Sequence, residues 1–325
     1  MNTDASTARV RRARDRTSGG RVAVTTQKDQ KSGTRSTATK PNSSIRLNRR
    51  LRLMRVAVCQ MRSGDEPASN IASAQSLLRE AAEGGADLAI LPEFFPFLGP
   101  ESQLPKVAES VPGGPATQML AESAAGGDLW IAGGSVPERD GDRLFNTAPL
   151  FDRAGELVAR YRKIHLFDVD LEGQPPFRES ATYAAGTELV THPTEDVRIG
   201  LAICYDLRFP ELFRGLMTLG AELVVLPAQF QHQTGVAHWE VLLRARAIEN
   251  QCFVAAAAQW GEFGSPEEPR RSYGRSMIVG PWGDVLVEAP EEGTGVWFAD
   301  LDVADLRRVR QVLPALEHRQ LGINC

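Results

Sequence analysis

Residues 198–226 read RIGLAICYDLRFPELFRGLMTLGAELVVL, and this stretch decides the fold class. It begins with an apolar run at 198–203, continues into a helical pattern at Pro210–Leu219 and ends with a second apolar run at Leu223–Leu226. Short β-rich runs separated by a helix are typical of a parallel sheet with helices packed on its faces. The stretch therefore predicts an α/β fold, and it places Cys204 directly after a strand.

The same alternation continues on both sides of this stretch and predicts one continuous domain over residues 53–325. Toward the amino end we predict a helix over Ala68–Glu83 and strands over Val56–Met61, Asp87–Leu91, Trp130–Val136 and Phe145–Phe151. Toward the carboxyl end we predict an amphipathic helix over Ala237–Gln251, a strand over Phe253–Ala257 and a hairpin of Met277–Val279 with Val285–Val287. Two stretches lack periodicity: Leu166–Thr187, predicted to be a long loop that lines a pocket, and Glu262–Arg270, predicted to be irregular.

The first 52 residues differ from the rest in composition and charge. Residues 1–55 hold 15 Lys and Arg against 3 Asp and Glu, whereas residues 56–325 hold 22 against 38. A polar, Arg- and Ser-rich segment buries too little apolar surface to offset chain entropy, so we predict that residues 1–52 are a disordered basic extension. A transit peptide, an arm that contacts nucleic acid and a dispensable extension all fit this composition. We favour the last, because Met54 directly precedes the first strand pattern.

Composition and motifs argue against several classes of protein. The longest apolar runs, such as Ala221–Ala228, are too short to cross a bilayer. The four cysteines form no CxxC pair and no secretory apolar segment is present, so we predict a reduced, cytoplasmic setting. Dispersed His residues without an HExxH motif predict no metal, and missing GxGxxG, P-loop and GxSxG motifs predict no nucleotide cofactor and no serine hydrolase. The acidic charge of residues 56–325 argues against a nucleic-acid partner.

Three polar residues stand where catalytic groups collect in an open α/β sheet, past the carboxyl ends of strands. Glu93 and Cys204 each follow an apolar run, and Lys163 stands at the start of the long loop. Each alone also fits a structural role, as a buried thiol or as a solvated loop charge. A Cys–His dyad formed with His165 is a further alternative.

Five sequence blocks carry a family resemblance over roughly residues 54–320. LPEFF at 91–95, YRKIHLFD at 161–168 and ICYDLRFPEL at 203–212 together resemble the nitrilase (carbon-nitrogen hydrolase) superfamily. AHWEVLLRARAIENQ at 237–251 and SYGRSM at 272–277 resemble its Nit branch, which contains omega-amidase and deaminated glutathione amidase. The resemblance implies a four-layer α-β-β-α sandwich and pairing through outer helices into a homodimer or higher homo-oligomer.

By this resemblance Glu93, Lys163 and Cys204 are expected to form a catalytic triad, and Glu179 matches the branch's second acidic residue. A thiol that is protonated near neutral pH needs a base, so Glu93 is expected to take the proton of Cys204. Lys163 and the backbone N–H of Tyr205 are expected to stabilise the oxyanion of the tetrahedral intermediate. Glu179 is expected to orient Lys163 and Glu93, and the resemblance implies no cofactor.

The substrate is expected to be a small amide that bears a carboxylate. By the resemblance, Arg208 matches the branch's carboxylate-binding position. An arginine suits this role because a guanidinium pairs with a carboxylate in bidentate fashion, and a structural salt bridge is the alternative. Phe230 and Thr234 are expected beside it. The surroundings at 259–261 and 271–274 look more like deaminated glutathione amidase than omega-amidase. We therefore expect cysteine-dependent amide hydrolysis through a thioester with release of ammonia. Omega-amidase, N-carbamoyl amino acid hydrolase, aliphatic nitrilase and an inactive ligand-binding pseudoenzyme stand as alternatives.

Overall fold

The protein is described by a computed structural model that covers residues 53–172, 176–265 and 268–321, with backbone alone at residues 265 and 268. The basic extension expected at residues 1–52 lies outside these ranges. Strands of the described part are β1 Met54–Gln60, β2 Leu88–Ile90, β3 Trp130–Ala132, β4 Val136–Asp140, β5 Arg143–Phe151, β6 Leu157–Arg162, β7 Asp168–Val169, β8 Phe177–Arg178, β9 Thr191–Pro193, β10 Arg198–Leu201, β11 Leu223–Ala228, β12 Phe253–Ala258, β13 Trp260–Ser265, β14 Glu268–Tyr273, β15 Met277–Val279, β16 Val285–Glu288 and β17 Gly295–Leu301. Its α-helices are α1 Pro67–Glu83, α2 Leu104–Val107, α3 Pro115–Gly127, α4 Pro210–Thr218, α5 His232–Asn250 and α6 Val303–Val312.

Two mixed sheets form the centre of the domain. In the first, β17, β1, β2, β3 and β5 lie side by side, and β4 and β6 also pair with β5. In the second, the order is β16, β15, β12, β11, β10 and β9. The central strands of each sheet, β1 to β3 and β10 to β12, run parallel, so their carboxyl ends reach the same edge of the sheet.

The two sheets pack face to face, and helices cover their outer faces. Because successive side chains of a strand point to opposite faces, β1 sends Val56 and Val58 toward the second sheet, and Ala57 and Cys59 toward the helices. The outer layer on the first sheet is α1 with α3, and the outer layer on the second sheet is α4 with α5. The α-β-β-α sandwich expected from the family resemblance is confirmed.

One predicted strand, Trp130–Val136, is in fact two strands. β3 ends at Ala132 and β4 begins at Val136, with a Gly-Gly-Ser turn between them. Gly134 has φ +61°, and a Cβ there would collide with the carbonyl oxygen of Pro92. This turn therefore needs glycine at position 134, where the backbone packs directly against Pro92, the residue that precedes Glu93.

Three further predictions need correction. The helix predicted over Ala237–Gln251 begins earlier, at His232, and it is not cleanly amphipathic, because large apolar side chains are exposed on it. Glu262–Arg270, predicted to be irregular, forms part of the β13–β14 hairpin. The predicted long loop contains the short β7–β8 ladder and a 3-10 turn at Glu179–Ala181. In the part of the chain that the structure describes, no helix is both long and apolar enough to span a membrane.

Candidate active site

The four residues expected to be catalytic meet at the carboxyl ends of the strands. Glu93 follows β2, and Cys204 follows β10 in a 3-10 turn over Cys204–Arg208. Lys163 directly follows β6, and Glu179 opens the 3-10 turn of the long loop. The four side chains are almost completely buried and line one small chamber.

A lysine between two carboxylates forms the centre of this cluster. Lys163 Nζ lies 2.8 Å from Glu93 Oε1, and 3.1 and 2.9 Å from the two oxygens of Glu179. Each of the three side chains is at most 2% exposed. A buried charge is costly unless it is paired and hydrogen-bonded, so this arrangement fixes all three groups in place.

Two residues that the sequence analysis did not single out complete the cluster. Asn146 Nδ2 donates to Glu93 Oε1 at 2.9 Å and to Glu179 Oε1 at 3.0 Å. The backbone N–H of Gln229 donates to Glu93 Oε2 at 2.7 Å. Both had a signal in the sequence, since Asn146 interrupts the apolar run of β5 and Gln229 follows β11 at the same sheet edge as Cys204.

The charges of the cluster shift its protonation equilibria. Burial raises the pKa of Glu93, and the charge of Glu179 raises it further, against the opposing effect of Lys163. Burial alone would lower the pKa of Lys163, but Glu179 and Glu93 hold it well above its ordinary value. Lys163 is therefore an ammonium at neutral pH, and the raised pKa gives the Glu93 carboxylate an enhanced tendency to accept a proton.

Cys204 is held in a conformation that few residues adopt. Its φ is +44°, in the left-handed region, and its Sγ lies 3.6 Å from the carbonyl oxygen of Gln229. Burial raises the pKa of the Cys204 thiol well above its ordinary value, and the neighbouring charge of Glu93 adds to this shift. The resting sulfur is therefore a protonated thiol with a carboxylate at hand to take its proton.

The turn that carries Cys204 also presents backbone donors. Tyr205 is its second residue, and the N–H groups of a first helical turn have no acceptor within the helix. Tyr205 and Lys163 both line the chamber together with Cys204.

Arg208, Phe230 and Thr234 also line this chamber. The Arg208 guanidinium carbon lies 5.0 Å from the Phe230 ring centroid, and Nη1 lies 3.1 Å from His238 Nδ1. Arg208 has no ion pair with a carboxylate in the described ranges, which gives no support to the salt-bridge alternative. Burial lowers the pKa of Arg208, so an anion bound beside it would relieve an electrostatic cost.

Two chambers lie beside the cluster in the described part of the chain. The inner chamber, which contains Cys204 and Arg208, has a volume of about 30 Å³. The outer chamber has a volume of about 510 Å³, and aromatic residues form much of its wall. Glu179, Gln229 and Phe94 line both chambers, so the two meet beside the catalytic cluster.

The structure gives no support to a Cys–His dyad. His165 Nδ1 lies 2.7 Å from Asp206 Oδ1, and the His165 ring stacks on Phe209 with centroids 3.7 Å apart. Among the described residues, the hydrogen-bond partners of the Cys204 sulfur are Gln229 and Glu93, and His165 is not one of them. Within the described ranges, no group of three or more His, Cys, Asp and Glu residues is arranged to hold a metal ion.

Comparisons with known proteins agree with this geometry. The carbon-nitrogen hydrolase family model matches residues 55–311. Deaminated glutathione amidase of Bos taurus is 42% identical over 271 residues, which cover 82% of this chain and 81% of the relative. Omega-amidase NIT2 of Mus musculus is 39% identical over 272 residues, which cover 83% of this chain and 96% of the relative. The crystal structure of Saccharomyces cerevisiae Nit3, a nitrilase-superfamily member, superimposes with a TM-score of 0.74 at 30% identity, over 83% of this chain and 97% of that one.

Proposed function

This chain belongs to the carbon-nitrogen hydrolase family and hydrolyses amide C–N bonds, and from that premise we propose that Cys204 is its nucleophile. The observation that carries the proposal is the buried Glu93–Lys163–Glu179 cluster beside the Cys204 thiol. It supplies a nucleophile, a proton acceptor and a fixed cation in one chamber, which are the three groups that acyl transfer requires.

In the first half of the reaction, the sulfur attacks the amide carbon while Glu93 accepts the thiol proton. The raised pKa of Cys204 favours this coupled transfer, because little thiolate exists before the substrate arrives. The carbonyl oxygen becomes negatively charged between the Lys163 ammonium and the Tyr205 N–H, each worth roughly 3 kcal/mol as a donor. Glu93 then gives its proton to the amide nitrogen, the C–N bond breaks, and a thioester remains on Cys204.

In the second half, water replaces the departed amine. Glu93 takes a proton from the water while the water oxygen attacks the thioester carbon, and the same two donors stabilise the oxyanion. The C–S bond breaks and Cys204 recovers its proton, so the enzyme returns to its starting state. Glu179 and Asn146 keep Lys163 and Glu93 in register throughout.

Recognition of the acyl part is proposed to depend on Arg208, Phe230 and Thr234. An Arg208 without a carboxylate partner in the described residues is suited to pair with a carboxylate of the substrate in bidentate fashion. The Phe230 ring lies against the guanidinium and gives the inner chamber an apolar wall. The inner chamber meets the outer one beside the cluster, so the substrate would extend from Cys204 and Arg208 into the outer chamber.

The proposed substrate is a small carboxylate-bearing amide, of the kind cleaved by deaminated glutathione amidase. The higher identity to the enzyme of that name supports this choice, and omega-amidase is the second candidate. Hydrolysis of N-carbamoyl amino acids or aliphatic nitriles would use the same triad. No cofactor or metal is needed for the proposed steps.

We also propose that the protein forms a homodimer or higher homo-oligomer through the outer face of α5. Val241 and Ile248 lie two helical turns apart on one face of α5 and are 67% and 47% exposed. Trp282, which is 59% exposed, lies in the turn between β15 and β16. Arg244 of α5 donates a hydrogen bond to the Gly283 carbonyl oxygen in this turn. Exposed apolar side chains grouped in this way are typical of association surfaces. Light scattering tests this proposal, and a monomeric mass would contradict it.

A cytoplasmic setting is proposed from the cysteines. Cys59, Cys204 and Cys252 are all free and buried, as expected in a reducing compartment. Residues 1–52 are proposed to be a basic extension that contributes nothing to hydrolysis.

The test of the proposed function is product release from a substrate panel. The panel contains amides of dicarboxylic 2-oxo acids, deaminated glutathione, N-carbamoyl amino acids and aliphatic nitriles, each assayed with wild type and with Cys204→Ala. We expect hydrolysis of carboxylate-bearing amides by wild type and none above background by the variant, which removes the nucleophile. Retention of more than a few per cent of activity in Cys204→Ala would rule out this mechanism, and a wild type inactive on every amide would favour the pseudoenzyme alternative.

A further inference from the structure

Asp206 lies two residues after the nucleophile and is fully buried, yet it takes no part in the steps proposed above. Its Oδ2 accepts hydrogen bonds from the Ile203 N–H at 2.9 Å and from the Tyr161 hydroxyl at 2.7 Å. Its Oδ1 accepts one from the His165 N–H at 3.2 Å and lies 2.7 Å from Nδ1 of the same residue. A buried carboxylate with both oxygens bonded in this way holds its partners at fixed distances.

These partners come from two separate segments of the chain, and each segment carries one catalytic residue. Ile203 directly precedes Cys204. Tyr161 and His165 lie two residues before and two residues after Lys163. A single carboxylate therefore joins the backbone beside the nucleophile to the Tyr161 hydroxyl before the lysine and to the His165 backbone and ring after it.

We propose that Asp206 is a positioning residue that sets the distance between the nucleophile and the oxyanion-binding cation. This inference rests on the roles proposed for Cys204 and Lys163. Sulfur and ammonium must reach the same carbonyl group, one at carbon and the other at oxygen, and a misplacement of about 1 Å in such a site lowers rates by roughly a hundredfold. Stacking of the His165 ring on Phe209, with planes 6° apart, fixes the lysine segment further.

Hydrolysis and alkylation of Cys204 separate positioning from simple structural support. Amide hydrolysis needs the sulfur and the ammonium in register, because an oxyanion forms. Alkylation by iodoacetamide is a displacement at a methylene carbon and forms no oxyanion, so it needs only the sulfur and a base. A loss of register between the segments should therefore slow hydrolysis and leave alkylation nearly unchanged.

The main variant is Asp206→Asn, which keeps the size of the side chain but places an NH2 donor against N–H and O–H donors. We expect kcat for the amide to fall by roughly ten- to a hundredfold, with KM within about threefold of wild type. The rate of Cys204 alkylation, followed by peptide mass mapping, should stay within about threefold of wild type.

Two milder variants keep the test valid if Asp206→Asn folds poorly. Tyr161→Phe and His165→Phe each remove one side-chain bond to Asp206 and keep an aromatic ring in place. Each should lower kcat by a few fold without slowing alkylation. Glu138→Gln is the matched control, because Glu138 is another buried carboxylate bound by β5 and β6 side chains, outside the chamber.

Parallel losses of hydrolysis and alkylation, in proportion to the unfolded fraction, would show that Asp206 is only structural and overturn the proposal. An unchanged kcat in Asp206→Asn would overturn it as well. Failure of the proposed function is recognised separately, since a wild-type protein that still hydrolyses amides after alkylation of Cys204 cannot use that thiol as its nucleophile.

Discussion

Two buried glutamates, Glu93 and Glu138, are bound by neighbouring residues of β5 and of the carboxyl end of β6, and they differ in how their charge is compensated. Both side chains are at most 2% exposed. Glu138 is bound by two guanidinium groups, from Arg160 and Arg162, which reach solvent. Glu93 shares a single enclosed ammonium with a second carboxylate. Because successive side chains alternate between faces, Thr147 and Arg162 bind Glu138 whereas their chain neighbours Asn146 and Lys163 bind Glu93.

The difference between the two clusters separates support from chemistry. In the Glu138 cluster, cations outnumber the buried carboxylate and the Arg162 fork binds both of its oxygens, so the charge is fully compensated. In the Glu93 cluster, two carboxylates compete for one cation, and the pKa of Glu93 is raised as a result of burial and of Glu179. Incomplete compensation of a buried charge is typical of a group that exchanges protons.

The largest expected effect comes from making the same substitution in both clusters. Glu93→Gln should lower kcat by about a thousandfold, because it removes the proton acceptor of the thiol and the donor to the leaving amine. It should change the melting temperature much less than the rate, because the Lys163 ammonium keeps Glu179 as its ion-pair partner. Steady-state kinetics and calorimetry measure the two effects.

Glu138→Gln is the matched variant for this comparison. It should keep kcat within about threefold and lower the free energy of unfolding by about 3 kcal/mol, because the ion pairs of the buried Glu138 with Arg160 and Arg162 are lost. The comparison fails if Glu93→Gln unfolds readily with its turnover intact, or if Glu138→Gln abolishes turnover in a folded protein.

A second prediction contrasts two arginines. Arg162 binds carboxylates of the chain, whereas Arg208 has no such partner in the described residues. Arg208→Lys should lower kcat/KM for carboxylate-bearing amides by roughly ten- to a hundredfold, about 1.4 to 3 kcal/mol, because it keeps the charge but loses the bidentate fork. Neutral amides should be affected much less. Equal losses on neutral and anionic amides, or a large drop in melting temperature, would make Arg208 structural.

The smallest expected effect is a displacement of the pH profile. In the proposed mechanism ionised Glu93 is the base, so kcat/KM should fall as the pH drops through its pKa, which lies above the ordinary value for glutamate. The charge of Glu179 raises this pKa, and Glu179→Gln should therefore move the acid limb of the kcat/KM profile to lower pH. An acid limb that stays in place or moves to higher pH would show that Glu179 does not set the protonation of Glu93.

Much of the fold could be predicted from the sequence, because periodicity and family motifs agree. The β10–α4–β11 unit at 198–226 is present as predicted, to within a few residues at each end. The single strand predicted over Trp130–Val136 was wrong because it passed over Gly134, whose need for glycine arises from a contact with Pro92, distant in sequence. Turns that depend on such contacts leave no periodic signal.

In the candidate site too, the residues within known motifs were predicted from the sequence and the residues that act through remote contacts were not. Residues named from motifs, such as Glu93 and Cys204, meet in one chamber. Asn146 and Asp206 were missed because each acts through contacts with segments remote in sequence, at separations of 53 and 45 residues for their bonds to Glu93 and Tyr161. A polar residue within a buried strand or turn signals that a partner exists, but only the packing of the sheets identifies it.

The left-handed backbone at Cys204 makes stability and the proposed catalytic role favour different residues at this position, and this affects how the sequence can change. Any residue with a Cβ is strained at φ +44°, by roughly 1–2 kcal/mol, and glycine is not. On the role proposed for Cys204, glycine at position 204 would relieve this strain at the expense of a buried side chain and would abolish hydrolysis. In genome surveys, a glycine here would mark a lineage released from selection on turnover.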